Sequence, residues 1–280
     1  MVPFFLAISY RYDILYIIRI FNIYKHIKVN TMTKVNHELN GSDVVQTNKV
    51  RQVVGTNKTK RKPKNPIKFG IQLNQEQKVA KAVILDNAIT ILTGKAGSGK
   101  TLVACQFALD QMFTRQIERI IIVRSTVSKE DIGYLPGDLF EKMEPFMAPI
   151  IGNMHLLYKK EKIDSMLKDG AISIVPIAFM RGRTFVDSCI IVDEAQNVTD
   201  EQLEMILSRL GKSSRMILCG DANQNDFKRK TDSGFGELVD MVGRVNQLGM
   251  VELLSNHRHA IVDDILNEYA NKREEKNTKT

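Results

Sequence analysis

From residue 69 onward the apolar positions of the chain switch between two periods. The stretch "EQKVAKAVILDN" (76–87) repeats its apolar residues at steps of three and four, as one face of a helix does. "AITIL" (88–92) then runs nearly unbroken, like a buried strand. The alternation continues toward the far end of the sequence. Further strands are predicted over "RIIIVRS" (119–125), "AISIV" (171–175), "SCIIVDEA" (188–195), "RMILCGD" (215–221) and "MVELL" (250–254). Helices are predicted over "TLVACQFALDQMF" (101–113) and over about 199–210, 234–243 and 260–271. Continuous apolar strands with helices between them describe a parallel sheet covered on both faces, which is an α/β architecture. The sequence contains no internal repeat.

One junction in this pattern carries chemistry. Between the strand at 88–92 and the helix at 101–113 lies "GKAGSGKT", which fits G-x-x-x-x-G-K-[ST] with Gly94, Gly99, Lys100 and Thr101. The loop Gly94, Lys95, Ala96, Gly97, Ser98, Gly99, Lys100 and Thr101 is therefore predicted to cradle a polyphosphate. Its backbone N–H groups must turn inward around the anion, and side chains at the glycine positions would obstruct that approach. The helix beginning near Lys100 points its positive dipole end the same way. The Lys100 ammonium can reach the outer phosphates, and the Thr101 hydroxyl can ligate Mg²⁺. Glycines used only for turning would be the plain alternative. A strand before the loop and a helix after it argue against that.

Two later strands end in polar clusters. In "CIIVDEAQ" four apolar residues carry the chain up a buried strand and release Asp193 and Glu194 at its C-terminal end. Ligands bind at that edge of open α/β sheets. Asp193 is predicted to hold Mg²⁺ through water, and Glu194 to polarise a water for attack on a γ-phosphate. The next strand, in "RMILCGDANQND", exposes Gly220, Asp221 and Gln224, and the Gln224 carboxamide can sense the γ-phosphate and orient that water. Upstream, Gln77 in "LNQEQ" can read adenine, because a carboxamide pairs with both the N6 donor and the N7 acceptor.

Charge changes this picture less than the total suggests. The net charge is +8, but residues 48–68 hold eight Lys/Arg and no acidic residue. Residues 1–47 add +2, which leaves residues 69–280 at −2. The basicity belongs to a tail that reads both as a solvated linker and as an attractor of RNA or DNA phosphates. Residues 1–31 hold seven of the 19 aromatics, yet no apolar run there exceeds five residues, far short of the ~20 that span a bilayer. They read as non-functional or disordered sequence upstream of a start at Met32, with an interfacial amphipathic helix as the alternative. Cys105, Cys189 and Cys219 sit in apolar stretches without metal-ligand spacing, as buried thiols of a reducing, cytoplasmic compartment do.

Taken together, "GKAGSGKT", "LPGDLFEKMEPFMAPI" (135–150), "PIAFMRGRTF" (176–185), "IIVDEAQN", "LCGDANQND" and the arginine of "SNHRHAIV" resemble the PhoH family of P-loop ATPases. More distantly they resemble the first motor domain of superfamily 1 helicases. The likeness covers residues 69–280, and short chains of this kind occur in bacteriophages, where the compartment would be the host cytoplasm. The resemblance implies a P-loop NTPase sheet of order 5-1-4-3-2, ATP and Mg²⁺ as ligands, a link to RNA metabolism and phosphate starvation, and no membrane partner. It gives Lys100, Thr101, Asp193, Glu194 and Gln224 the nucleotide roles and adds Arg124, Arg181 and Arg183 as candidates for touching nucleotide or RNA. Residues 32–68 are then a basic linker before the ATPase domain. With one phosphate loop and no room for a second motor domain, Arg258 is expected to act across a subunit interface. A homo-oligomer, in its closed form a ring, is the partner arrangement that follows. Two rival readings are an ATP-switched nucleic-acid or protein binding module with slow turnover, and a nucleotide kinase. The Asp193–Glu194 pair disfavours the kinase.

Overall fold

A computed structural model of the chain describes residues 67–124, 139–221, 224 and 233–259, together with 261, 262, 264, 265, 268, 269 and 272. Over 139–146 it describes the backbone only. The expectations for residues 1–66 and for "YLPGD" lie outside the described residues. Those within 260–271 that are described are helical, as the pattern predicts.

Six parallel strands form one sheet: β1 (Ile89–Thr93), β2 (Arg119–Arg124), β3 (Ile172–Ile174), β4 (Ser188–Asp193), β5 (Arg215–Cys219) and β6 (Leu248–Glu252). Their order is β3-β2-β4-β5-β1-β6. This corrects the five-strand expectation by one element. The short strand β3 adds to the edge beyond β2, and without it the remaining strands follow the expected order. A three-residue strand can hold that place because it pairs on one side only.

The helices are α1 (Gln75–Asp86), α2 (Lys100–Phe113), α3 (Leu139–Leu157), α4 (Lys160–Lys168), α5 (Asp200–Leu207) and α6 (Gly234–Asp240). Alternate strand residues face opposite layers. Leu92, Ile122, Ile191 and Ile217 pack with Ile84, Phe107, Met154 and Ile163 of α1–α4. Ile91, Val123, Ile190 and Leu218 pack with Leu203, Ile206, Phe235 and Leu238 of α5 and α6. All six residues of β4 are buried, as a central strand covered on both faces requires.

Helices α3 and α4 are absent from the periodic pattern as first read. Pro145 and Pro149 fall inside α3, and proline removes an N–H and crowds the preceding turn, so the segment does not look helical. Its inner face explains why it is. Met147, Ile150, Met154 and Leu157 are all buried at steps of three, four and three, and the helix packs on α2. Two helices start with capping boxes: Asn74 with Gln77 opens α1, and Thr199 with Gln202 opens α5.

The three cysteines are buried among these apolar side chains. Burial pushes their thiols up, that of Cys189 to about 12, so they are inert packing groups. Ile191 is fully buried at the centre of the sheet. Ile191→Ala is expected to cost about 2–5 kcal/mol in urea unfolding, with the same far-UV spectrum before the transition.

Candidate functional site

The phosphate-loop geometry follows from the backbone the glycines permit. Gly94, Gly97 and Gly99 have φ of 136°, 89° and 88°, values that disfavour any residue with a Cβ. Gly99 is the N-cap of α2 and no side chain caps that helix, so its first amides are left for the loop. Lys100 folds back across the loop, its Nζ donating to the carbonyls of Gly94 at 2.6 Å and Lys95 at 3.0 Å. Ser98 Oγ is buried beside Gly94 with no hydrogen-bond partner among the described residues.

Strand order brings the carboxylates to this loop. Because β5 lies between β1 and β4, the C-terminal ends of the three strands share one edge. Thr101 Oγ1 donates to Asp193 Oδ1 across 2.7 Å. Arg124 is the register partner of Asp193 on the neighbouring strand. Burial pushes the Asp193 carboxyl up and the charge of Glu194 adds to that, while the Thr101 hydrogen bond, Arg124 and Lys100 oppose it. A buried carboxylate beside a hydroxyl, under-compensated in charge, suits a divalent cation that keeps most of its water. Thr101 and Asp193 therefore fit Mg²⁺.

Glu194 follows at φ 52° and ψ 45°, a left-handed conformation that a glutamate adopts at a cost. Its Oε2 accepts from Gln196 Nε2 at 2.7 Å, and Gln196 Oε1 accepts in turn from the Asp221 N–H at 3.1 Å. Gln196, 3% exposed, thus links the ends of β4 and β5 and holds the Glu194 carboxylate through Oε2. Sequence reasoning assigned Gln196 nothing. Its only signal was a carboxamide, which both donates and accepts, two residues after the carboxylate.

A second missed feature is the strap that follows β6. Glu76 of α1 accepts from the Leu254 N–H, from the Ser255 N–H at 3.1 Å and from the Ser255 hydroxyl. The His257 N–H donates to Gly97 O at 3.1 Å, and the His257 ring meets Gln77 Nε2 at 3.2 Å. A Cβ at Gly97 would stand 2.8 Å from both Arg258 Cγ and Asn256 Oδ1, and one at Gly99 would stand 2.7 Å from Gln77 Nε2. The glycines are needed on this side too, to let the strap and α1 close on the loop.

Most of the expected residues converge on one cleft. It is lined by Gln77, Ala96, Gly97, Gly99, Lys100, Thr101, Asp193, Glu194, Gln224 and Arg258. Gln224 is at the exposed rim. Gln77 is already engaged, with its Oε1 accepting from the Asn74 N–H at 3.1 Å in the α1 capping box. Arg258 was expected to reach a neighbouring subunit. Within the single chain its side chain packs against Gly97 and lines the cleft. Arg181 and Arg183 are not in this cleft. No cluster of three or more His, Cys, Asp or Glu with metal-binding geometry occurs among the described residues. Nor is any helix among them long and apolar enough to cross a membrane.

Residues 71–270 match the family described as PhoH-like protein. The chain belongs to that family. A PhoH-like protein of Mycobacterium tuberculosis is 38% identical over 201 residues, which cover 71% of this chain and 56% of the relative. One from Bacillus subtilis is 36% identical over 191 residues, covering 67% and 60%, and Protein PhoH of Escherichia coli is 36% identical over 162, covering 57% and 46%. This PhoH-like chain thus spans about half the length of the curated relatives it matches. Among solved structures, the Pif1 helicase from Candida albicans aligns with a TM-score of 0.38 at 16% identity, covering 70% of this chain and 43% of the helicase. The family and the phosphate loop make this a P-loop protein of nucleotide-dependent function. Its strap supplies a prediction. The Glu76 carboxyl is raised by burial, but the bonds from Ser255 and Leu254 and the nearness of His257 outweigh that and hold it below its ordinary value of 4.5. A lowered carboxyl stabilises the fold above the unfolded-state value and loses that contribution as pH falls through the folded one. Glu76→Ala should therefore destabilise by on the order of 1 kcal/mol at pH 7. The gap from the parent should close below about pH 4 in thermal melts.

Proposed function

We propose that this PhoH-like chain is a Mg²⁺-dependent ATPase whose turnover is coupled to RNA or DNA. The observation that carries the reading is the 2.7 Å bond between the loop hydroxyl of Thr101 and the strand-end carboxylate of Asp193, with Glu194 beside it on a restrained carboxylate. Thr101 and Asp193 would hold Mg²⁺, which when bound neutralises charge on the outer phosphates. Lys100 exchanges the Gly94 and Lys95 carbonyls for phosphate oxygens. Arg258, against Gly97, adds a second cation where negative charge develops.

In the hydrolytic step a water oxygen bonds to the terminal phosphorus and the bond to the leaving diphosphate oxygen breaks. Glu194 Oε1 takes the water proton, while Gln196 keeps Oε2 fixed. Gln224, at the rim, orients that water. The tie to nucleic acid draws support from the basic run at 48–68.

Phosphate release from purified protein, with and without added single-stranded RNA, tests the reading. Stimulation by RNA supports coupling, and a low rate that RNA leaves unchanged favours the switched binding module. Lys100→Ala should weaken ATP binding and abolish release, and full activity in that variant would sink the loop assignment. Glu194→Gln should keep ATP affinity while release falls by ~10²–10⁴-fold, the contribution of a general base. An equal loss of affinity and rate would make Glu194 structural.

A further inference from the structure

The chain between β3 and β4 presents a surface that the nucleotide cleft does not use. It leaves β3 on the same sheet edge as Asp193, because β2 runs parallel to both β3 and β4. A single helical turn, Ile177–Phe179, follows at once. Ile177 and Met180 anchor that turn, exposed by 7% and 0%, whereas Phe179 between them is 54% exposed. The turn folds without burying Phe179. A large apolar ring is thus left in water beside two well-packed neighbours.

Two cations follow it in the chain. Arg181 and Arg183 are exposed, and neither forms an ion pair among the described residues. Gly182 between them has φ 72° and open space around its Cα, so the two side chains leave a bare turn. The guanidinium of Arg183 lies 5.3 Å from the centre of the Phe185 ring, which braces it. Its carbonyl is held by Arg209 Nη1 at 3.2 Å. Arg181 borders a cleft whose other wall is the start of α5, where Thr199 and Gln202 are already spent on the capping box. Glu201 lines the same cleft without pairing to Arg181.

We propose that Phe179, Arg181 and Arg183 form a docking platform for one strand of nucleic acid, with a base stacked on the Phe179 ring and phosphates paired to the two guanidinia. It rests on the nucleic-acid coupling proposed above and gives that coupling a place on the fold. An exposed ring next to unpaired arginines is what single strands require, since every base offers a π-face and the backbone offers charge. A duplex hides its base faces, and this surface is a short turn rather than a helix or ribbon that could enter a groove. A phenyl face does not address the 2′-hydroxyl and the two guanidinia are assigned to phosphates, so RNA and DNA strands should bind alike. A protein partner is less well served, because one ring and two cations make too small an apolar patch for a stable interface.

The test uses the full chain, a labelled uridine homopolymer and a labelled thymidine homopolymer, with binding followed by fluorescence anisotropy at several salt concentrations. Phe179→Ala should weaken both by roughly 5- to 100-fold, the loss of one base–aromatic stack, while Phe179→Trp restores binding. The double change Arg181→Ala with Arg183→Ala should flatten the slope of log affinity against log salt by about 1.4, two phosphate contacts on a single strand. Phosphate release without nucleic acid, and the melting temperature, should match the parent in all of these. Unchanged strand binding in every variant would overturn the platform while leaving the coupling intact. A parent chain that binds neither homopolymer at low salt would overturn both. Duplex bound as tightly as single strand, or Trp failing where Ala fails, would overturn the stacking.

Discussion

The hydrogen bond from Thr101 to Asp193 joins two residues 92 positions apart, and the rest of the site is arranged by what makes it possible. Thr101 is fixed by the first turn of α2, which can start where it does only because Gly99 takes a left-handed conformation at its N-cap. Asp193 is fixed as the last residue of a fully buried strand. Strand β5 must lie between their two strands at the right register, Leu92 against Cys219 and Val192 against Leu218. Two apolar layers hold that register, because a slip of one residue would turn every inward side chain to the other layer. Packing far from the cleft therefore sets a distance inside it.

What could be read along the chain was the chemistry that sits on contiguous residues. The glycine loop and the Asp193–Glu194 pair need particular residue types at fixed spacing, so local sequence displays them. Gln196 and the strap are different. A glutamine two residues past a carboxylate has no meaning until β5 brings the Asp221 amide to it. Glu76 looks like an ordinary first-turn helix acid until the chain after β6 returns, 178 residues later, to give it three donors. Helix α3 was hidden by two prolines, whose local cost is outweighed by a buried stripe on a face that only the tertiary fold creates. Strand β3 was legible as a strand but not as an edge.

Arg258 reaches the loop through contacts made far from it in sequence. In other NTPases the charge that builds on a transferring phosphoryl group is met by a guanidinium. Arg258 was expected to supply it from a neighbouring subunit. The strap after β6 carries this residue. It is tied to α1 through Glu76 and to the loop through the His257 amide, and these two ties bring Arg258 to Gly97 within one chain.

The same strap changes what the glycines of the loop mean. Positive φ at Gly94, Gly97 and Gly99 shapes the cradle from within. From outside, Leu253 O, Asn256, Arg258 and Gln77 occupy positions that a Cβ would need. A substitution there would strain the backbone and push the strap away together, so the loop and the strap cannot be altered separately. The charges point the same way. Lys100 rests on two carbonyls, and burial raises the Asp193 carboxyl even though Lys100 and Arg124 oppose that rise. Each of these groups is held in place by a partner weaker than the charge it is built to meet. A phosphate chain with its metal would replace backbone oxygens for Lys100 and supply the missing positive charge for Asp193, so binding and pre-organisation draw on the same contacts.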